Sequence, residues 1–377
     1  MKPWVSDTQQ DEEAIAKKAD EAGAALAHSD ALTHGQRQKP PPQLPRQRLC
    51  RLERANISGK GGQASTMLED MSNNETFEFV LVGLSHHPQA QAVFFWFLLV
   101  VYMVTLIGNG LIVMVVVTDP ALHTPMYFFL CNLSFLDICY SSCSIPQMMI
   151  NCLVERPVIS FTRCLLQMYA SLFLGMTESL LLAVMAYDRF VAICSPLHYT
   201  LIVSWRVCVQ LAVMSWASAF LLTLLPVLVQ PTKFCGHNVI NHFTCELQGF
   251  IKLACSDTRL NKIIMFVTSF LVLVVPFTFI LVTYGRIGLA VLRIRSAQGR
   301  GKAISTCSSH LAVVGIFYGT AMAMYLRPQD KTSSDHDKLV AVFYGVITPM
   351  LNPLIYSLRN RDIKGALQRT FGRKFIE

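Results

Sequence analysis

Seven stretches of this chain are long and apolar enough to cross a membrane, and that feature constrains the fold more than any other. A helix needs roughly 20 apolar residues to span the hydrocarbon core. The runs are Val93–Val117, Pro125–Leu153, Leu165–Tyr187, Val207–Val229, Ile263–Tyr284, Ala303–Leu326 and Leu339–Ser357. The first, fourth, fifth and seventh contain no Asp, Glu, Lys or Arg. Backbone N–H and C=O groups in lipid must find partners inside the protein, which leaves helices or a closed barrel. Nothing alternates with the period of two that barrel strands require. The expected fold is an all-α membrane protein, a seven-transmembrane helix bundle. Only 15% of residues are charged, against about 25% in an ordinary soluble domain, and they crowd between the spans. The net charge of +8 forms no patch interleaved with aromatic residues, so no nucleic-acid partner is expected.

Lys and Arg mark the cytoplasmic side of a membrane protein. Arg286, Arg293, Arg295, Arg300 and Lys302 follow the fifth span, and Arg359, Arg361, Lys364, Arg369, Arg373 and Lys374 follow the seventh. Both segments are expected inside, with the N-terminus outside and the chain in the plasma membrane. Within Asp362–Phe371, Ile363, Leu367 and Phe371 stand among basic residues at a spacing that suits a short amphipathic helix on the inner surface. A free tail is the plainer alternative.

The expected organisation is a disordered extension over residues 1–66, an extracellular tail over 67–92, the seven-transmembrane domain over 93–357 and a cytoplasmic tail over 358–377. Residues 1–66 are polar, and their KPPPQLPRQR run could offer a polyproline ligand, although a disordered linker fits the composition better. The GKGG at Gly59–Gly62 lacks the spacing of a phosphate loop. Residues 37–60 hold seven basic residues and one acidic one, which suits an outside location badly. Residues 67–92 hold Glu69, Asp70, Glu75 and Glu78 and no Lys or Arg. Met67 or Met71 is therefore the expected natural start, with the first span directing insertion.

Cys164, Cys235, Cys245 and Cys255 fall in segments expected outside, where they can form two disulfides. Spacing alone does not choose the pairing. Cys131, Cys139, Cys143, Cys152, Cys194, Cys208 and Cys307 lie in or near spans and read as small hydrophobes. His237 and His242 stand near the outer thiols, but without a CxxC pair or HxxxH spacing no metal centre is expected there. Asn74-Glu75-Thr76 is a glycosylation acceptor, as is Asn56-Ile57-Ser58 if that region lies outside; Asn132-Leu133-Ser134 is unreachable within a span.

An ionisable group inside the bilayer is costly and is a functional candidate by default. Asp137, Glu178 and His310 are such groups, and Asp188 and Arg189 close the third span. If the Asp137 and Glu178 carboxyls face one another, a cation binds, sodium being the candidate, or one carboxyl stays protonated. A hydrogen-bonded polar patch that holds helices together has equal standing. The adjacent Asp188 suggests an ion pair with Arg189 rather than an arginine that snorkels to the interface.

LHTPMYFFLCNLSFLDICYSS (Leu122–Ser142), MAYDRFVAICSPLHY (Met185–Tyr199), KAISTCSSHL (Lys302–Leu311) and PMLNPLIYSLRN (Pro349–Asn360), with Gly108-Asn109 in the first span, resemble the olfactory receptors, a branch of the rhodopsin-like G-protein-coupled receptors. The resemblance covers about residues 71–372. It implies that Asp188 restrains Arg189 at rest, that Arg189 meets the G protein, and that Tyr284, Asn352, Pro353 and Tyr356 form the switch. The family usually writes Ser-Tyr where this chain has Thr283-Tyr284, a change that keeps a hydroxyl. Phe317-Tyr318-Gly319 is similar to the olfactory FYG motif. The resemblance also implies the pairs Cys164–Cys245 and Cys235–Cys255, and a stimulatory, olfactory-type heterotrimeric G protein as partner.

Matching positions give Ser171, Leu172, Gly175, Met176, Met265, Ser269, Tyr318, Met322 and Tyr325 as the expected pocket lining. None is charged, which favours small, neutral, hydrophobic odorants; Ser171 stands where an amine receptor would carry an aspartate. No cofactor is expected. A transporter would show paired halves with broken helices, and no internal repeat is present. An enzyme would need a clustered nucleophile and base or metal ligands, and no HExxH or GxSxG lies in the spans.

Overall fold

The computed structural model describes residues 78–83, 88–229, 238–254, 257, 259–293, 296–326 and 334–374. The chain divides into units Met1–Gly59 and Lys60–Glu377; the first lies wholly outside the described residues, as do Met67, Met71 and Asn74. Seven helices are long and apolar enough to cross a membrane. They are α1 (Pro88–Thr118), α2 (Pro125–Leu153), α3 (Phe161–Cys194), α4 (Trp205–Val229), α5 (Arg259–Leu292), α6 (Ala297–Tyr325) and α7, which runs as Ser334–Val342, Phe343–Ile347 and Thr348–Arg359. An eighth helix, α8 (Arg361–Lys374), follows the bend at Asn360. All of the seven but α2 begin before the apolar runs that announce them, because apolarity marks only the length in hydrocarbon and a helix continues into the headgroup layer.

Polarity is distributed as a lipid solvent demands. Val93, Met103, Leu221, Phe266 and Val282 are exposed on the bundle surface, while Asn109, Asp137, Glu178, Ser179, His310 and Asn352 are buried between helices. In water that apolar surface would drive aggregation. One large core joins α2, α3, α5, α6 and α7 through residues such as Leu136, Leu181, Ile280, Phe317 and Tyr344.

Prolines shape α5 and α7. Proline has no N–H to donate to the carbonyl four residues before it, so the helical ladder opens there. Phe270–Val274 and Phe343–Ile347 are π-turns, and each ends two residues before a proline, Pro276 and Pro349. Pro276 deprives the Val272 carbonyl of its helical donor, and the Ser179 hydroxyl of α3 donates to it instead. Pro353 does the same to the Pro349 carbonyl, which accepts from Asn109 Nδ2 of α1 at 3.1 Å. α1 and α7 come close here: a Cβ on Gly108 would lie 3.0 Å from Pro353 Cγ.

A small sheet covers one end of the bundle, an addition to the all-α expectation. β1 (Glu78–Leu81) pairs antiparallel with β2 (Val158–Ser160) and parallel with β3 (Val239–Ile240). Phe79 and Leu81 of β1 are fully buried against Ile159, Ile240 and Phe250. Part of the segment expected as a plain tail is thus a central strand. Its period of two spans only four residues, too few to register as a pattern.

At the other end α8 lies against α1 and the connection that follows it. Ile363 and Ala366 are buried, which completes the expected amphipathic pattern; the Phe371 side chain lies outside the described residues. Arg369 binds Asp119 through Nη2 at 2.6 Å and Nε at 3.1 Å. The Arg369 guanidinium holds the Asp119 carboxyl below the ordinary aspartate value, helped by the Ala121 amide. Tyr127 Oη donates to Asp362 at 3.0 Å and accepts from Asn360 Nδ2 at 3.0 Å, fixing the α7–α8 corner.

Candidate functional site

Two chambers open beneath the sheet. The inner one, of about 380 Å³ counting its mouth, lies between α3, α5, α6 and α7 and is lined by Ser171, Leu172, Gly175, Met176, Ser269, Val272, Leu273, Phe317, Ala321, Tyr325 and Tyr344. None of these carries a charge. Its wall on α3 needs a glycine at one point, since a Cβ on Gly175 would collide with the Tyr344 hydroxyl. A concave apolar space with a few hydroxyls can hold a small apolar molecule and orient it by one or two hydrogen bonds.

Of the residues expected in the pocket, Ser171, Leu172, Gly175, Met176, Ser269 and Tyr325 line this chamber. Met265, Tyr318 and Met322 are not in its wall. Tyr318 is fully buried, with its hydroxyl 2.9 Å from both Ser179 Oγ and the Ser179 carbonyl. Met322 packs on the main core. Val272, Leu273, Phe317, Ala321 and Tyr344 line the chamber without having been anticipated. The apolar spans that carry them give no signal for which face turns inward.

The second chamber, of about 470 Å³ counting its opening to solvent, lies nearer the sheet between α2, α3, α6, α7 and the loop that enters the short helix Leu247–Leu253. Cys164 and Cys245 form a disulfide that ties this loop to α3. The Cys245 amide donates to Gln167 Oε1 at 3.0 Å, and Gln167 Nε2 donates to the Cys143 carbonyl of α2 at 3.1 Å, close to Pro146. Cys235 and Cys255 lie outside the described residues. Cys131, Cys139, Cys143, Cys152, Cys194, Cys208 and Cys307 are free thiols. Asn132 packs in the bundle, where it accepts from Trp216 Nε1 at 3.4 Å.

Midway through the bundle, Asn352 Nδ2 lies 3.0 and 3.1 Å from the two Asp137 carboxylate oxygens. Glu178 is buried on α3. Its Oε1 has no hydrogen-bond partner among the described residues. These two carboxyls could hold a monovalent cation or share a proton. Among the described residues, no cluster of three His, Cys, Asp or Glu side chains offers a divalent metal centre.

Toward α8, Tyr284 Oη of α5 lies 2.8 Å from His310 Nδ1 of α6, and their rings stack with centroids 5.7 Å apart. The expected ion pair between Asp188 and Arg189 is not formed. Asp188 Oδ1 instead accepts from the Tyr199 hydroxyl at 2.6 Å, and Arg189 Nε is buried without a hydrogen-bond partner among the described residues. Neighbouring residues on a helix point about 100° apart, so adjacency in sequence works against contact. Burial, together with the Asp188 carboxylate it donates to, pushes the Tyr199 phenol up. Tyr356 is buried, its hydroxyl likewise without a partner among the described residues.

Comparison with known proteins follows the same outline. Residues 98–374 match a family described as "Olfactory receptor". The human protein named olfactory receptor 13H1 is 51% identical over 293 residues, covering 78% of this chain and 95% of its own length. Human olfactory receptor 13D1 is 49% identical over 307 residues, covering 81% and 89%. Mouse olfactory receptor 1E16 is 47% identical over 301 residues, covering 80% and 96%. Among solved structures, squid rhodopsin superposes with a TM-score of 0.59 at 18% identity, over 76% of this chain and 86% of that one, a likeness of fold.

Proposed function

The chain belongs to the olfactory receptor family, receptors rather than enzymes, and we propose that it binds small, neutral, mostly hydrophobic odorants in the inner chamber and activates a heterotrimeric G protein of the stimulatory, olfactory type. The observation that carries this reading is the uncharged chamber itself, walled by α3, α5, α6 and α7. An odorant there meets Phe317 of α6 and Val272 and Leu273 of the α5 π-turn directly. Phe317 stands about two helical turns from His310, the α6 residue that meets Tyr284.

A ligand shifts the receptor between two packings only by its difference in affinity for them. In the active packing the α8 end opens between α3, α5 and α6, and Arg189 meets the G protein beside basic residues such as Arg293. The orientation that follows puts the sheet outside the cell and α8 inside, in the plasma membrane. Asn74 would then be exposed to glycosylation, and Cys235 would pair with Cys255.

Residues 71–377, expressed at the cell surface, should raise cyclic AMP in response to members of a panel of small volatile compounds. A surface-expressed receptor that responds to none of a broad panel, but conducts ions, would favour a channel instead.

A further inference from the structure

The two chambers are continuous, because Ser171, Leu172 and Tyr325 belong to both walls. Beyond that shared wall their chemistry diverges. The inner one continues into apolar Val272, Leu273, Phe317 and Ala321, whereas the second, outer one brings in the hydroxyls of Tyr140 and Ser144 from α2. We propose that the outer chamber is a head-group subsite, in which Tyr140 and Ser144 receive the neutral hydroxyl of an extended alcohol whose apolar tail fills the inner chamber. The inference rests on the inner chamber being the ligand site.

Ser144 is 5% exposed, lines the outer chamber, and its hydroxyl has no hydrogen-bond partner among the described residues. Other buried hydroxyls of the bundle are committed to their own helices. Thr105 donates to the Val101 carbonyl, Thr177 to Phe173, Ser215 to Leu211 and Thr223 to Ala219, each four residues back and at 2.7–2.8 Å. A buried hydroxyl without a partner is costly, and a guest in the chamber supplies one to Ser144.

Tyr140 and Ser144 stand four residues apart on α2, so they share one face of that helix a turn apart. The Tyr140 ring meets that of Tyr344 edge-on, with centroids 5.5 Å apart, and Tyr344 lines the inner chamber. The α2 pair therefore sits beside the junction of the two spaces, within reach of a head whose tail lies further in. A hydroxyl both donates and accepts, so an alcohol head can satisfy either residue in either sense. A halide or hydrocarbon end leaves Ser144 unpaired. Glu246 lies on the same wall but is engaged within its own loop, its Oε1 3.6 Å from His242 Nε2; an uncharged head needs no counter-charge from it.

The test uses the purified full-length receptor in detergent, with ligand affinity read from the concentration dependence of its thermal unfolding. The probes are octan-1-ol and 1-chlorooctane, which share a tail and differ in the head. S144A and Y140F should each weaken octan-1-ol binding about fivefold, the loss of one hydrogen bond, and leave 1-chlorooctane unchanged. Two variants guard against one that does not fold. Octan-1-ol affinity that survives both substitutions overturns the subsite, and so does an equal loss of both probes, which would mark a change of shape. A321L narrows the inner chamber and should weaken both probes about tenfold. If octan-1-ol responds to A321L but to neither α2 variant, the subsite falls and the inner-chamber reading stands. If neither probe binds the wild type, both readings fall.

Discussion

Asn352 of α7 donates through one nitrogen to both carboxylate oxygens of Asp137 on α2, at 3.0 and 3.1 Å, and both side chains are buried. The pair joins two spans separated by most of the chain, in surroundings where water cannot replace a lost partner. Removing one partner from a buried hydrogen bond costs the desolvation of the group left behind, about 1–3 kcal/mol. Asn352→Leu should therefore lower thermal stability by that amount in detergent. Asp137→Asn, which keeps an acceptor, should cost less. Equal losses from the two variants would remove the pair from the account.

Ser179 replaces the hydrogen bond that Pro276 withholds from the Val272 carbonyl. Ser179→Ala should destabilise the receptor by roughly 1 kcal/mol. Pro276→Ala restores a backbone N–H at that position, so the double variant Ser179→Ala, Pro276→Ala should recover part of the loss. A double-mutant cycle on unfolding midpoints measures the coupling. Strictly additive effects would show that the two residues do not share this carbonyl.

Gly175 leaves the space that the Tyr344 hydroxyl fills. Gly175→Ala must displace Tyr344, whose ring lines the inner chamber. The expected outcome is a loss of odorant potency of about tenfold or more, equivalent to about 1.4 kcal/mol, with surface expression retained. Cyclic AMP dose–response curves against surface labelling separate the two effects.

Arg189 makes no ion pair with Asp188, whose carboxylate accepts from the Tyr199 hydroxyl instead. Arg189→Ala should leave the receptor at the cell surface and abolish ligand-evoked cyclic AMP. Normal signalling by that variant would contradict its role. Tyr199→Phe, which frees Asp188 of its partner, should raise basal signalling if this contact favours the resting packing.

Arg369 lowers the Asp119 pKa in the folded protein, so the contact contributes stability above the ordinary aspartate pKa and loses it as pH falls through the depressed value. Docking of α8 should consequently be indifferent to pH between about 5 and 8. It should weaken with added salt, because the Arg369 side chain is exposed. Distance measurements between spin labels on α1 and α8, in wild type and Arg369→Ala, report both effects.

How much was legible in the sequence depends on the kind of question asked. The number of spans, their helical character and the amphipathic α8 follow from the solvent: lipid accepts apolar side chains and forbids unpaired backbone, so length and charge suffice. The motifs around Arg189 and Pro353 identify the family at once, as the matches over residues 98–374 bear out. Partnerships did not follow in this way. Lipid and protein interior are equally apolar, so a span such as α5 carries no periodic mark of its inward face, and Leu273 could not be told from exposed Leu271. Asp188 found Tyr199 rather than its sequence neighbour, and Glu246 entered the chamber wall because a disulfide draws its loop against α3. Contacts of that sort exist only once helices far apart in the chain have packed together, and packing alone decides them.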